Sequence, residues 1–372
     1  MKLAYINYYF DDDLVLPDYF NRYPSIHGWC KSVSDSKIDV TVYQRFNENH
    51  SFIKEGVQYK LIYDGLKNNP ESWRNTRRFH SNIVNDKPDI IHINSFDYLY
   101  QGYHLKRLLS ESRIVFQHHA EKCQRGLKKY FGRYCSNYAD GFIFSSKFLY
   151  EEWIRTGSIS PAKNFIEIIE NSTNFVRKEL PNSGEYKELS GEPVLLWVGR
   201  LNENKDPVTL LTGFKMFLND FPKAKLYMIY SETDLENEIL KITGSSEKLQ
   251  NSVKLLGKIN HPLLNNYYNC ADYFVSASHY EGSGYSLIES MACGVIPIVT
   301  DIPSFRTITK NGKAGVLWQK GNPESFYEKA KEIINKDKNI QRKIVGEIFD
   351  SDLSFDSISR KAGNFYREIL NN

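Results

Sequence analysis

Short apolar runs rich in β-branched and aromatic residues alternate with longer amphipathic stretches from one end of this chain to the other. Runs of four to six such residues suit strands buried on both faces, and each following stretch is long enough for a crossover helix. The alternation therefore predicts an α/β architecture of βα units wound around parallel sheets. In the first half, strands are expected near Leu3–Asn7, Val40–Arg45, Val57–Ile62, Ile90–Ile93, Ile114–Gln117, Phe142–Ser145 and Phe165–Ile169. The clearest helices there are Tyr98–Leu109, Arg125–Tyr138 and Lys147–Arg155.

The alternation breaks once. From Pro181-Asn182-Ser183-Gly184-Glu185 to Ser190-Gly191-Glu192-Pro193 the chain is polar and turn-rich with proline at both ends, which excludes a strand or a helix interior. At about 150 residues per domain, 372 residues suit two domains. We therefore expect an N-terminal domain over 1–180 and a C-terminal domain over 181–354. In the second, strands are expected near Val194–Val198, Leu226–Tyr230, Val253–Leu255, Tyr273–Ser276 and Val295–Val299, with helices such as Val208–Leu218 and Leu235–Thr243, giving a second doubly wound sheet. Ile358, Ala362, Phe365 and Ile369 recur at helical spacing, so a terminal helix over about 355–372 is expected to pack back on the first domain.

Composition narrows the function classes. With 41% hydrophobic and 25% charged residues, and no run near the roughly 18 apolar residues of a spanning helix, neither a disordered nor a membrane-spanning chain is indicated. The start runs from Phe10 straight into Asp11-Asp12-Asp13 without the core of a secretion signal, so a cytoplasmic address is expected. Five dispersed cysteines, with no CxxC pair, suggest neither a disulfide framework nor a cysteine zinc site. The net charge of +3 is too small to argue for nucleic acid. It is unevenly placed: residues 101–150 hold nine Lys/Arg against three Asp/Glu, whereas 181–372 hold 23 against 24, so an anionic partner belongs on the first half.

The segment richest in chemistry is Ser278-His279-Tyr280-Glu281-Gly282-Ser283-Gly284-Tyr285-Ser286-Leu287-Ile288-Glu289. An apolar strand ends before it, the glycines free the backbone to turn, and Ser286–Ala292 is a good helix former. Strand, glycine turn and helix start together present backbone N–H groups to a phosphate. Read alone, the segment is equally a structural turn. Glu281 and Glu289 sharpen it, because both carboxylates can face one pocket and accept hydrogen bonds from vicinal hydroxyls of a ribose or sugar.

This E-x7-E pattern with an EGxG core resembles the family 4 glycosyltransferases of the GT-B fold. Val198-Gly199-Arg200-Leu201, followed by Lys205-Asp206-Pro207, is similar to a second segment of that family. The resemblance extends to Asp89–Asn94, Ala139–Ser146, Glu170–Phe175 and Gly294–Thr300. It implies two Rossmann-like doubly wound domains facing a central cleft. Arg200 and Lys205 would hold the donor pyrophosphate and stabilise the leaving nucleoside diphosphate. Gly282, Ser283, Gly284, Tyr285, Ser286, Leu287 and Glu289 would line the donor site, with Glu281 catalytic. After the strand Ile114–Gln117 the family places a histidine against the donor sugar; His119 matches best, with His118 as the alternative. A zinc site at His118, His119 and Cys123 lacks a fourth ligand within reach.

The resemblance implies a retaining transfer from a nucleotide sugar, with a UDP-sugar expected, to a hydroxyl of a glycan, lipid-linked or small-molecule acceptor. No cofactor is expected, and no metal, since Arg200 and Lys205 replace one and no DxD pair calls for Mg²⁺. The chain departs from the family at the first strand, where Asp11-Asp12-Asp13 and His27-Gly28-Trp29 stand in place of a Gly-Gly pair, and at Ser283 and Tyr285, where Phe and Leu are common. These departures keep open a sugar-nucleotide epimerase and a catalytically silent nucleotide-sugar-binding scaffold. A dehydrogenase is disfavoured, because no G-x-G-x-x-G follows the first strand. Arg125, Lys128, Lys129 and Arg133 recur at helical spacing and are expected on one helix face, either solvated or placed against anionic lipid at the inner face of a membrane.

Overall fold

The computed structural model describes residues 1–66, 77–119, 121–161, 164–178 and 189–372. They form two compact units: unit 1 is Met1–Ser172 with Phe355–Asn372, and unit 2 is Thr173–Ser354. The chain thus changes unit at Ser172, ahead of the polar stretch at 181–193, of which 181–188 lie outside the described residues.

Unit 1 is built on β1 (Lys2–Asn7), β2 (Asp39–Arg45), β3 (His50–Lys54), β4 (Val57–Ile62), β5 (Ile90–Asn94), β6 (Arg113–Gln117), β7 (Gly141–Phe144) and β8 (Asn164–Glu167). Their order is β3-β4-β2-β1-β5-β6-β7-β8, parallel except for β3, which runs antiparallel to β4. Tyr5 in β1 is registered with Val42 on one side and His92 on the other. From β1 the chain winds first to one edge, then from β5 to the other. At that reversal the loops after neighbouring strands part, and a crevice opens at the strands' carboxyl ends. Ile6, Ile91, Ile93, Phe116 and Phe142 pack in one core cluster.

The C-terminal helix, Phe355–Asn371, belongs to unit 1. Its amphipathic spacing turns Ile358, Ala362, Phe365, Tyr366 and Ile369 inward. A Cβ on Gly28, in the helix Pro24–Asp35, would lie 2.2 Å from the Phe355 ring, so only glycine lets this ring approach. His27-Gly28-Trp29 is therefore helix packing and not a phosphate-binding turn. Tyr366 Oη lies 2.6 Å from His92 Nδ1, whose Nε2 is 2.9 Å from Gln117 Oε1. Burial pushes the His92 imidazole down to about 3, so the ring is neutral and links strand to helix as a hydrogen-bonding group.

Unit 2 is built on β9 (Val194–Gly199), β10 (Lys225–Tyr230), β11 (Val253–Gly257), β12 (Tyr273–Ser276), β13 (Ile296–Thr300) and β14 (Val316–Trp318). The order is β11-β10-β9-β12-β13-β14, all parallel, with the winding reversing between β9 and β12. Leu195, Trp197, Met228 and Ile298 meet Leu210 and Phe214 of the helix Pro207–Phe217 in its core. Both sheets are thus the doubly wound α/β sheets that the alternating pattern predicts.

The expected Arg125–Tyr138 helix runs from Gly126 to Ser136. Arg125 precedes it in extended backbone. At 100° per residue, Lys128, Lys129 and Arg133 fall within an arc of about 140°, the side that also carries the buried Gly132 and Ser136, and Arg125 stands outside the helix. Among the described residues, no helix is long and apolar enough to cross a membrane.

Candidate active site

In unit 2 the functional side chains sit at the reversal between β9 and β12. Arg200 follows β9 directly, and the short turn Glu203–Lys205 carries Lys205. Asp206 then caps the helix Pro207–Phe217 with φ 42°, accepting a hydrogen bond from Thr209 N at 3.1 Å. After β12, Gly284 takes a left-handed backbone (φ 59°) and starts the helix Tyr285–Ala292. A Cβ there would also lie 2.8 Å from Ile308 Cδ1. Of the two glycines in the motif, only Gly284 makes the positive-φ turn. The first amides of a helix lack partners within it, so the backbone at Tyr285 and Ser286 is positioned to donate to an anion.

Two adjoining cavities lie here, of about 260 and about 130 Å³, sharing Val198, Lys205 and Ser286. Among the described residues the larger is lined by Arg200, Lys205, Lys258 and His261 and by no carboxylate. The smaller is walled by Glu281 and the Ser283–Leu287 turn. Lys205 Nζ is ion-paired with Glu281 Oε1, which also accepts from Ser278 Oγ at 2.6 Å. Lys205 is thus held in place before any ligand arrives. Arg200 is largely exposed, with Nε 3.4 Å from Glu232 Oε1, and can swing without breaking a buried contact.

Glu289 departs from the expected open wall. Its side chain is 2% exposed; Oε1 is paired with His261 Nε2, and Tyr268 Oη donates to Oε2 at 3.2 Å. The carboxylate reaches the larger cavity through His261, so a ribose hydroxyl would have to share an oxygen with that ring or displace it. His261 lies near-parallel to Phe175 and Tyr285, with ring centroids 5.1 and 5.9 Å away. Its hydrogen bond to Glu289 outweighs desolvation and raises the imidazole above its ordinary value. Sequence reasoning missed His261 and Lys258, because neither lies in a motif; only the positions after β11 and at the start of the helix His261–Cys270 could have flagged them.

In unit 1 the corresponding reversal, between β1 and β5, holds a cavity of about 300 Å³. His119 lines it. His118 does not: its side chain is fully buried, stacked 4.8 Å from Phe144 and edge-on to Trp153 at 5.4 Å. As successive residues just after β6, the two rings point to opposite sides, and burial lowers the His118 imidazole. His118, the alternative held open for donor binding, is thus enclosed in the core and does not line this cavity.

His119 Nδ1 lies 3.0 Å from Glu170 Oε2. Desolvation pulls this imidazole down, but the Glu170 carboxylate outweighs it and holds the ring above its ordinary value. Nε2 is buried with no hydrogen-bond partner among the described residues. Glu121 fixes the turn, accepting from His119 N at 2.7 Å and Phe96 N at 3.2 Å. Among the described residues the wall carries Asp97, Glu121 and Glu170 and no lysine or arginine, which suits hydroxyls and disfavours phosphate. Asp11 pairs with Arg22 at 3.0 Å and is not among the residues lining this cavity.

These two reversals, one cationic and one carboxylate-lined, are accompanied by likeness to known proteins. The sequence model described as Glycosyltransferase Family 4 matches residues 25–174, and that described as Glycosyl transferases group 1 matches 178–347. The chain belongs to glycosyltransferase family 4. Within the family, it is 30% identical over 33% of its length to a GDP-mannose:cellobiosyl-diphosphopolyprenol alpha-mannosyltransferase of Xanthomonas oryzae. The matched segment is 32% of that relative, so the chain spans about a third of it. It is 25% identical over 87% of its length, and 86% of the other, to an uncharacterized glycosyltransferase of Methanocaldococcus jannaschii. Among solved structures, a glycosyltransferase from Rickettsia africae shares the fold of this family 4 chain at 17% identity and TM-score 0.75, over 100% of this chain and 99% of that one. The fold is GT-B.

Proposed function

We propose that this protein transfers a sugar from a nucleotide sugar, expected to be a UDP-sugar, to a hydroxyl of a glycan or lipid-linked acceptor, with retention at the anomeric carbon. The observation that carries the reading is the pre-set Lys205–Glu281 pair beside Arg200 and the Gly284 helix start, in cavities at the sheet reversal of unit 2. Cations and helix amides together form a diphosphate site. The names of relatives support the acceptor class: the Xanthomonas protein acts on a diphosphopolyprenol, and a Campylobacter jejuni relative, 31% identical over 54% of this chain, on a diphospho-undecaprenol.

In the proposed reaction the bond from the anomeric carbon to the β-phosphate oxygen breaks as the acceptor oxygen attacks from the same face. The acceptor's proton passes to the departing phosphate. Arg200, Lys205 and the amides at Tyr285 and Ser286 stabilise the charge that grows on that phosphate. Glu281, held by Lys205 and Ser278, orients sugar hydroxyls. His119, with Nδ1 on Glu170, offers Nε2 to a hydroxyl. Because the cations do the work of a metal, activity is expected to persist in excess EDTA. The test is product analysis by NMR, with donor and lipid-linked or glycan acceptors in EDTA. An α-linked product from an α-linked donor agrees with the proposal; inversion, or strict dependence on added Mn²⁺, contradicts it. Conversion of donor to an epimer without acceptor would instead select the epimerase reading.

A further inference from the structure

We propose that His279 and Asp206 form a clamp that positions Lys205 and Glu281 for the donor diphosphate. The proposal rests on the reading of unit 2 as the donor site and adds two residues that this reading does not use. Among the described residues, the ladder between β9 and β12 registers Leu195 with Tyr273 and Leu196 with Phe274 and goes no further. Beyond it the two arms part, as strands do at a sheet reversal. The smaller cavity is lined from both arms, by Val198 and Lys205 on one and by Ser276 and Glu281 on the other. Strand pairing therefore does not fix how Lys205 and Glu281 stand to each other.

Three successive residues rejoin the arms. Asn204 O accepts from His279 N at 2.8 Å, and Asn204 Nδ2 donates to Tyr280 O at 3.0 Å. Lys205 is ion-paired with Glu281. Asp206 Oδ2 lies 2.8 Å from His279 Nε2. Residues 204–206 are thus matched to residues 279–281, with the functional pair between the other two contacts. Among the described residues, neither His279 nor Asp206 lines either cavity, so both would act on a ligand through Lys205 and Glu281.

The backbone marks the same place. Asp206 takes φ 42° and ψ 56°, a left-handed conformation that disfavours a side chain. Glycine would adopt it freely, but glycine could neither cap nor clamp. Both carboxylate oxygens are engaged, Oδ1 by Thr209 N at 3.1 Å and Oδ2 by His279. One side chain therefore ties the start of the helix Pro207–Phe217 to the loop after β12, and the strained backbone beside the functional pair is the sign of a role there. The His279 side chain is 43% exposed, and an ion pair so exposed adds little to folding stability. Its loss should be read in ligand binding and not in Tm.

The test is calorimetric titration of the full chain with UDP and with uridine, which lacks the diphosphate. His279→Ala should bind UDP about three- to tenfold more weakly, the net size of a hydrogen bond, with uridine affinity and Tm unchanged. His279→Gln, whose amide can still donate to Asp206, should restore most of the loss. In a Lys205→Ala background, His279→Ala should cost nothing further, because residues acting through one another are not additive. Should His279→Ala fail to fold, Asn204→Ala removes the other side-chain contact between the arms and carries the same test. A UDP affinity that His279→Ala leaves unchanged overturns the clamp alone, as does a loss shared equally by uridine, a loss that glutamine does not restore, or a loss that adds to that of Lys205→Ala. If the unaltered protein binds no nucleoside diphosphate, the donor-site reading falls and the clamp falls with it.

Discussion

Glu170 opens one of the segments that resemble the family, but its pairing with His119 is not legible there. Its carboxylate, with a side chain 7% exposed, lies against Nδ1 and leaves Nε2 as the nitrogen that the proposed reaction offers to a hydroxyl. Removing the charge and keeping the shape separates positioning from packing. Glu170→Gln should lower the proton affinity of His119, so whichever limb of the kcat/KM–pH profile reports this ring moves to lower pH. A profile that stays put while activity falls would reduce Glu170 to a structural role. His119→Ala should cost turnover by about 10²-fold or more while leaving UDP affinity nearly unchanged, as for a group that acts on the sugar and not the nucleotide. Titration calorimetry with UDP beside steady-state kinetics checks the split.

Among elements, the contact between the Pro24–Asp35 helix and the C-terminal helix rests on Gly28. Gly28→Ala would place a methyl 2.2 Å from the Phe355 ring, so the ring must shift. A loss of about 1–3 kcal/mol is expected from urea denaturation, as for an overpacked core site. A neutral result would mean that the terminal helix is not tightly docked. The same scale shows what the sequence discloses and what it hides. The strands of both parallel sheets were legible, because buried strands are written as local apolar runs. The antiparallel β3 and the short β14 were not: β3 alternates exposed and half-buried positions, and three residues of β14 give no period to read. Arg200, Lys205, Glu281 and Gly284 were named from the two segments that resemble the family, and they fall together in the adjoining cavities after β9 and β12. His261, Lys258 and Glu170 reach their cavities through tertiary placement, which linear spacing does not encode. Glu289 was legible as a residue, but not its enclosure behind His261.

Across the whole molecule, buried histidines tie stability to pH. His92 and His80 are both pushed down to about 3 by burial, against 6.5 for an exposed imidazole. Between these values the unfolded chain binds protons that the folded chain refuses, so stability is complete above about pH 6.5 and falls as pH drops toward 3. At pH 5 each should contribute about 2 kcal/mol of destabilisation. His119 and His261 oppose this trend, since their raised values add stability that is present below the unfolded pKa and lost as pH rises through the folded one. Urea midpoints from pH 7.5 to 4.5 should therefore fall with acidification, and His92→Gln should flatten the dependence. A flat profile in the unaltered protein would contradict the buried neutral histidines.

The central claim is that unit 2 holds a nucleoside diphosphate through Arg200, Lys205 and the helix start at Gly284. Its most direct test is thermal unfolding of the full chain with UDP, GDP, ADP, CMP and dTDP at saturation in EDTA. A ligand at about 100 times its Kd adds roughly 2.7 kcal/mol to the folded state, enough for a Tm rise of several degrees. The account predicts such a rise with UDP and its loss in Lys205→Ala and Arg200→Ala. A rise with GDP alone would keep the site and change the donor. No rise with any nucleotide, or a rise that both variants retain, would contradict the claim.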